Sequence, residues 1–374
     1  MKRNVPVSQP VLDGRESQYV NDALQKGAIS GFFGEYIPRF EREFCSYSDC
    51  AHGVAVSSGT TAIHLALAAF SIGQGDEVLV STLTNMATFF AVLYQGAIPV
   101  PIDIEPDTLN LDPNLLEAKI TPKTRAILVV HLFGHPVDMD GVLAVAKKHN
   151  LVVIEDCAEA HGATYKGKKV GGIGDAGAFS FYANKIITTG EGGMVTTNNA
   201  EAADRAKNLK GLAFGDTNKF MHKDIGYNYR MTNLQAAIGC AQFEKIESII
   251  QAKRKNASYY NEKFRGIDVL QLPVEKPYAR NVYWMYHILL QGRAADKRKQ
   301  VMQKLQENGI ETREGFIPYN MQEIFIKKGW TRIDECPLAN DVAHRGFYLP
   351  SSPSMTGDQL AYVAENLKAV LKDI

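Results

Sequence analysis

Short apolar runs alternate with stretches of helical period through the first two thirds of the chain, separated by polar or glycine-bearing turns. Val54 to Val56, Ala126 to His131, Leu151 to Ile154, Ala178 to Phe181 and Met194 to Thr197 read as strands, too apolar for a solvated edge. A helix is expected after Thr61 and another from Gly141 to His149, with the next strand starting at once at Leu151. This spacing predicts a mostly parallel sheet with helices on both faces. From Thr232, an N-cap signal, Leu234, Ile238, Ala241, Ile246 and Ile249 recur at helical spacing and run into a basic stretch ending at Lys255, which predicts one long helix. Beyond it, strands are expected over 283–290 and 310–316 and helices over 296–308 and 357–371, an α+β pattern. The chain therefore divides into a large domain, residues 1–245, and a smaller C-terminal domain, residues 246–374. Phe89 and Phe90 lie in an apolar run and read as core.

Candidate chemistry interrupts this pattern at one lysine. Lys185 sits in FSFYANKIITTGEGGM, between two core segments and beside a turn in which Gly190, Gly192 and Gly193 permit close backbone approach to a ligand. A lysine held there can form a Schiff base. Upstream, the strand ending at Ile154 delivers Glu155 and Asp156, and ligands in open α/β sheets bind outside the carboxyl ends of strands. A carboxylate there can pair with a protonated pyridine nitrogen. A third element, VAVSSGTTAIHLALAAF, places Ser57 to Thr61 between a strand and a helix, where free N–H groups and the helix dipole favour a phosphate. Each alone has a plain reading: a solvated lysine, a turn-capping Asp, ordinary N-caps. Their combination points to a phosphorylated aldehyde cofactor.

Together with SSGTTAIHLAL, GDEVLVSTLT, GAIPVPIDI, ITPKTRAILVVHLFG, HNLVVIEDCAEAHGA, GYNYRMTNLQAAIG and NVYWMYHI, this run makes the chain resemble the DegT/DnrJ/EryC1/StrS family of sugar aminotransferases over nearly its whole length. The resemblance implies a pyridoxal-phosphate-dependent transferase of fold type I, aspartate aminotransferase-like: an α/β large domain with a mostly parallel central sheet and a smaller α+β C-terminal domain. Matched residue by residue, it makes Lys185 the Schiff-base lysine and Asp156 the partner of the ring nitrogen of pyridoxal 5'-phosphate. Glu159 falls near the ring's phenolic oxygen. Ser58, Gly59, Thr60 and Ser180 fall at the phosphate, and Asn228 reaches that phosphate from a neighbouring subunit, which implies a homodimer. Two stretches depart from the family. Asn85 stands where an aromatic ring usually stacks on the cofactor, and Glu314, Ile317 and Asn320 replace a basic or proline-flanked pattern that ends in histidine near the sugar nucleotide.

The implied reaction moves an amino group from L-glutamate to the 4-keto carbon of a nucleotide-linked 4-keto-6-deoxy sugar. The Tyr283 to Tyr286 run and the stretch through Gly239 favour GDP-4-keto-6-deoxymannose, with a UDP- or dTDP-linked 4-keto-6-deoxyhexose as the alternative. A related dehydratase branch has histidine in place of the lysine, which Lys185 argues against. A nicotinamide-dependent oxidoreductase should show a GxGxxG turn after a strand, and none is present. A non-catalytic cofactor-binding regulator is the other alternative, resting on Asn85 and Glu314.

Composition adds exclusions. Lys and Arg together number 41, as do Asp and Glu, so the balanced charge gives no footprint for nucleic acid. The cysteines, an odd and scattered set of 5, point to free thiols in a reducing compartment, the cytoplasm, and lack cluster-ligand spacing. His131, His135 and His161 lack metal-ligand spacing, so no metal is expected. The basic start MKRNVPVSQPVLDG is broken by polar residues and Pro10 before any apolar core of a signal forms, and no apolar stretch is long enough for a membrane span.

Overall fold

The structure is a computed structural model that describes residues 4–215, 217–222 and 224–374. Met1 to Arg3, part of the basic start, lie outside the described residues. In chain order its strands are β1 (His52–Val56), β2 (Glu77–Ser81), β3 (Ile98–Ile102), β4 (Thr124–Val130), β5 (Val152–Asp156), β6 (Thr164–Tyr165), β7 (Lys168–Lys169), β8 (Ala176–Ser180), β9 (Gly193–Thr197), β10 (Leu270–Gln271), β11 (Ala279–Arg280), β12 (Tyr286–Leu290), β13 (Arg313–Glu314) and β14 (Gly346–Leu349). The helices are α1 (Glu16–Gln25), α2 (Tyr36–Tyr47), α3 (Gly59–Ala69), α4 (Met86–Tyr94), α5 (Met139–His149), α6 (Ala200–Leu209), α7 (Asn233–Phe243), α8 (Ile246–Phe264), α9 (Arg298–Glu307), α10 (Glu323–Lys327), α11 (Pro337–Arg345) and α12 (Gly357–Lys372).

Seven strands form the central sheet in the order β1-β9-β8-β5-β4-β2-β3. Every neighbouring pair from β3 to β8 is parallel, and β9 runs antiparallel to both β8 and β1, so all but β9 point the same way. Period-two alternation of apolar residues explains the helices on both faces. Val54, Val56, Val78, Val80, Ala126 and Leu128 share one buried cluster with α3, α4 and α6. Their neighbours on the strands face the other way: Ala55, Phe179 and Met194 pack with α1, α2 and α7, and Leu79, Ile127 and Val153 with α5. A mostly parallel α/β sheet is therefore present as expected.

A second, antiparallel sheet, β10-β12-β14-β13, carries α8, α9 and α12 and has its own core around Tyr260, Phe264, Tyr286, Phe347 and Leu367. Val5 bridges to Ile310, so the first described residues pack onto this C-terminal unit. Four sequence expectations need correction here. The long helix after Thr232 is two helices, broken where the Lys245 side chain is drawn to Asp13, Glu16 and the Val11 carbonyl. The strand expected over 310–316 shrinks to β13, because Ile310 is taken by Val5. The strand expected from Tyr283 starts at Tyr286, since Tyr283 adopts a positive φ of 49°. Phe89 is fully buried, stacked on Tyr319 at 4.2 Å, but Phe90 faces outward from α4. Among the described residues no helix is long and apolar enough to cross a membrane.

Candidate active site

The like-directed strands all end on one edge of the central sheet, and the residues singled out in the sequence follow those ends. A cavity of about 420 Å³ opens there, lined by Ser58, Gly59, Thr60, Asn85, Asp156, Glu159, Ser180 and Lys185. Asn228 does not line it: this residue is exposed, on a bridge with Gly211 in the segment before α7.

Asp156 closes β5 and is buried. Its Oδ1 accepts the Ala158 N–H at 3.0 Å and its Oδ2 the Thr88 hydroxyl at 2.8 Å. Burial pushes the Asp156 pKa up, while those two donors and Lys185 pull it down. Its neighbour Glu155 points to the other face of the strand, where it accepts the N–H groups of Gly171, Ile173 and Gly174 and pairs with His131 at 3.0 Å. The strand pleat thus assigns the acidic pair to different tasks, one in the cavity and one inside the core. Glu159, on the turn after β5, accepts the Phe133 N–H at 2.8 Å and is pushed up to about 7, chiefly by burial, with the Lys185 charge opposing.

Lys185 lies in the loop after β8. That loop is shaped by backbone and hydroxyl bonds: Lys185 N–H to the Tyr182 carbonyl at 2.9 Å, and Thr188 Oγ1 to the Phe181 carbonyl at 3.0 Å. Burial lowers the Lys185 pKa and the carboxylates of Glu159 and Asp156 oppose that fall. The outcome is a primary amine in the electrostatic reach of two carboxyl groups in one cavity.

The N-terminus of α3 forms the third wall. Ser58 Oγ accepts the Thr61 N–H, and Thr61 Oγ1 accepts the Ser58 N–H in return, a reciprocal capping box. The Ser58 oxygen is therefore occupied by its own helix, and the first-turn N–H groups of Gly59 and Thr60 are the ones an α-helix leaves unmet. Glycine is required on both sides of this turn. A Cβ on Gly59 would sit 2.6 Å from Ser180 Cβ, and one on Gly193 would sit 2.2 Å from the Ser58 carbonyl oxygen.

Several residues at the site carried no sequence signal of the place they take there. Thr88 reaches Asp156 only because α4 starts at the edge of β2, and Phe133 delivers its N–H to Glu159 from a residue with positive φ. Trp284, Arg313 and Tyr348 come from the C-terminal unit, far along the chain. The departures from the family pattern separate as well. Asn85 caps α4 by accepting the Ala87 N–H at 2.9 Å at the cavity rim. Glu314 lines the cavity and pairs with Arg298 at 3.2 Å. Asn320 is buried away from it, between Thr82, Asn340 and the Ile333 carbonyl. His131 is satisfied by Glu155 and the Val137 N–H, and it comes together with Glu155 and Cys157 in the core rather than the cavity. All cysteines are free thiols.

An amine, a buried carboxylate opposite it and an anion-seeking helix terminus suit a group that carries an aldehyde, a basic ring nitrogen and a phosphate. Comparison with known proteins agrees. Residues 10–368 match the DegT/DnrJ/EryC1/StrS aminotransferase family. The chain is 42% identical over 369 residues to the GDP-perosamine synthase of Escherichia coli O157:H7, covering 99% of each. It is also 42% identical over 371 residues to the GDP-perosamine synthase of Caulobacter vibrioides, covering 98% of each. Among solved structures, an aminotransferase from Psychrobacter cryohalolentis superposes with a TM-score of 0.93 at 32% identity, over 99% of this chain and 100% of that one.

Proposed function

Because the chain belongs to the DegT/DnrJ/EryC1/StrS aminotransferase family, we propose that it transfers an amino group from L-glutamate to the 4-keto carbon of GDP-4-keto-6-deoxymannose, giving GDP-perosamine. The observation that carries this reading is Lys185 facing Asp156 and Glu159 in one cavity, in a chain so similar to two GDP-perosamine synthases.

In this reading pyridoxal 5'-phosphate is held by the first turn of α3, through Gly59 and Thr60, with the Ser180 hydroxyl beside them. Asn228 of a second copy completes that grip in a homodimer. When bound, the cofactor supplies an electron sink for charge left on the amino donor's α-carbon. Asp156 keeps the ring nitrogen protonated, and Thr88 and the Ala158 N–H fix the carboxylate's aim. Glu159 stands by the ring's phenolic oxygen. The Lys185 amine, its pKa lowered by burial, takes a proton from the donor's α-carbon in the first half-reaction and delivers one to C4 of the sugar in the second. Residues 1–245 act as the cofactor domain, and residues 246–374 bring Trp284, Arg313 and Tyr348 over the cavity from the other side.

The test begins with the visible spectrum of the protein loaded with pyridoxal 5'-phosphate. L-glutamate should bleach the visible band, and of GDP-, UDP- and dTDP-linked 4-keto sugars, the GDP-linked one should restore it. Restoration by a UDP- or dTDP-linked sugar alone would change the substrate, and a band indifferent to glutamate would remove the transaminase assignment.

A further inference from the structure

Trp284 ties the C-terminal unit to Lys185 through its indole, which meets both the lysine's amine and the backbone beside it. Its side chain is only 4% exposed. The Lys185 Nζ lies 4.0 Å from the centre of its ring, and its indole Nε1 donates to the carbonyl of Asn184, the residue before the lysine, at 2.8 Å. One side chain therefore holds both the backbone that carries the lysine and the amine at its tip. On the opposite side, the Trp284 carbonyl accepts a hydrogen bond from Lys253 Nζ at 2.8 Å, and the same amine donates to the Ser351 carbonyl at 2.9 Å. Lys253 is 2% exposed and sits on α8. A buried amine given over to two carbonyls is a costly anchor, and its effect is to fix where Trp284 stands.

We propose that Trp284 is a positioning residue for Lys185, its indole face holding the free amine over the cavity during the part of the cycle in which the lysine is not bonded to the cofactor. This rests on the functional reading above and deepens it. A lysine side chain released from a covalent bond recovers rotamer freedom, and each proton it moves requires it to return to one place. An aromatic face in reach of the amine restricts that freedom without a charge that would bind it permanently. The ring also favours the protonated amine, and so acts in the same direction as Asp156 and Glu159 and against burial. Other titratable groups around the amine are His161, behind the cavity, and Tyr182, Glu191, Arg313, Glu314 and Tyr348 on its walls.

The experiment compares Trp284→Phe, which keeps a ring, with Trp284→Leu, which does not; Trp284→Met replaces the latter should it fail to fold. Protein stripped of cofactor is mixed with pyridoxal 5'-phosphate across a pH series. The rate of covalent addition is followed by absorbance, and the adduct is located by borohydride reduction and peptide mass. Removing the ring should lower the plateau rate by about tenfold and move the midpoint of the profile to lower pH, because a less stabilised ammonium loses its proton more readily. Relative to its own plateau, the acidic limb should rise by about threefold. Trp284→Phe should keep the wild-type midpoint. In the single-turnover reaction with glutamate, the ring-less variant should lose limiting rate with little change in the glutamate concentration that gives half of it. Equal midpoints in the Phe and Leu variants would overturn the proposal and leave the transaminase reading intact. Absence of a Lys185 adduct in the wild-type protein would overturn both.

Discussion

Inside the cavity, charge rather than shape distinguishes the side chains. Lys185, Asp156 and Glu159 are each shifted toward neutrality by burial; the lysine and the two carboxyls oppose that shift in each other, while Asp156 pushes Glu159 further up. Lys185→Arg keeps the charge but removes the nucleophilic, proton-carrying amine. It should abolish the borohydride-reducible adduct and cut turnover by about a thousandfold or more, and an adduct that persists would point to another lysine. Glu159 permits a second test, in protein stripped of cofactor. Its carboxyl is raised to about 7 from 4.5, so between those values the folded state binds more protons than the unfolded chain. Folding stability should therefore fall as pH rises through that window and level off above it, by up to about 3 kcal/mol. Glu159→Gln keeps an acceptor for the Phe133 N–H and removes the titration. Urea unfolding at pH 5 and pH 8 should show a smaller drop in the variant, and an identical drop would mean that Glu159 is solvated in the folded protein. In the sequence, Asp156 and Lys185 were legible because one closes an apolar run and the other interrupts two. Thr88 was not, and Trp284, although within the run 283–286, gave no sign of its place beside Lys185: nothing local distinguishes a helix threonine or a core tryptophan from one that faces the site.

At the scale of elements, the site is built from strand ends and helix starts, which is why so much of it could be read. Buried parallel strands announce themselves as apolar runs, and a polar residue at the end of such a run has only the sheet edge to occupy. Helix boundaries were less legible where distant groups decide them. The break between α7 and α8 falls at Lys245, whose side chain meets the N-terminal segment, and β13 follows Ile310, which pairs with Val5. Asn85 shows both levels at once. Its family counterpart is a ring that stacks on the cofactor, whereas here its side chain caps α4 and so positions Thr88, the hydroxyl on Asp156. Asn85→Ala should lower stability to urea by about 1 kcal/mol, with Asn85→Ser recovering most of the loss. Cofactor affinity measured by absorbance titration should fall in the Ala variant more than in Ser. A loss of affinity equal in both would assign Asn85 a direct contact instead of a cap.

For the whole molecule, the outstanding matter is the surface near Asn228, an exposed residue that does not line its own chain's cavity. Phe220, Met221 and Ile225 on it are 78%, 65% and 84% exposed, and Phe32, which receives the guanidinium of Arg230 at 4.0 Å, is 61% exposed. So much apolar surface around one loop is what a monomer avoids and a subunit interface covers. Periodicity could not have placed Asn228 in any site, since a residue that served another copy would leave no pattern in its own chain. The shared-site reading has a decisive form. Asn228→Ala and Lys185→Arg should each be strongly impaired as homodimers, the first through weak cofactor retention and the second through loss of the amine. Co-expressed in equal amounts, they form hybrids in about half of the dimers. In each hybrid one of two cavities carries both defects and the other neither, so activity should return to about a quarter of wild type. If Asn228 served its own chain's cavity, every cavity in the hybrid would hold one defect, and mixing would restore nothing.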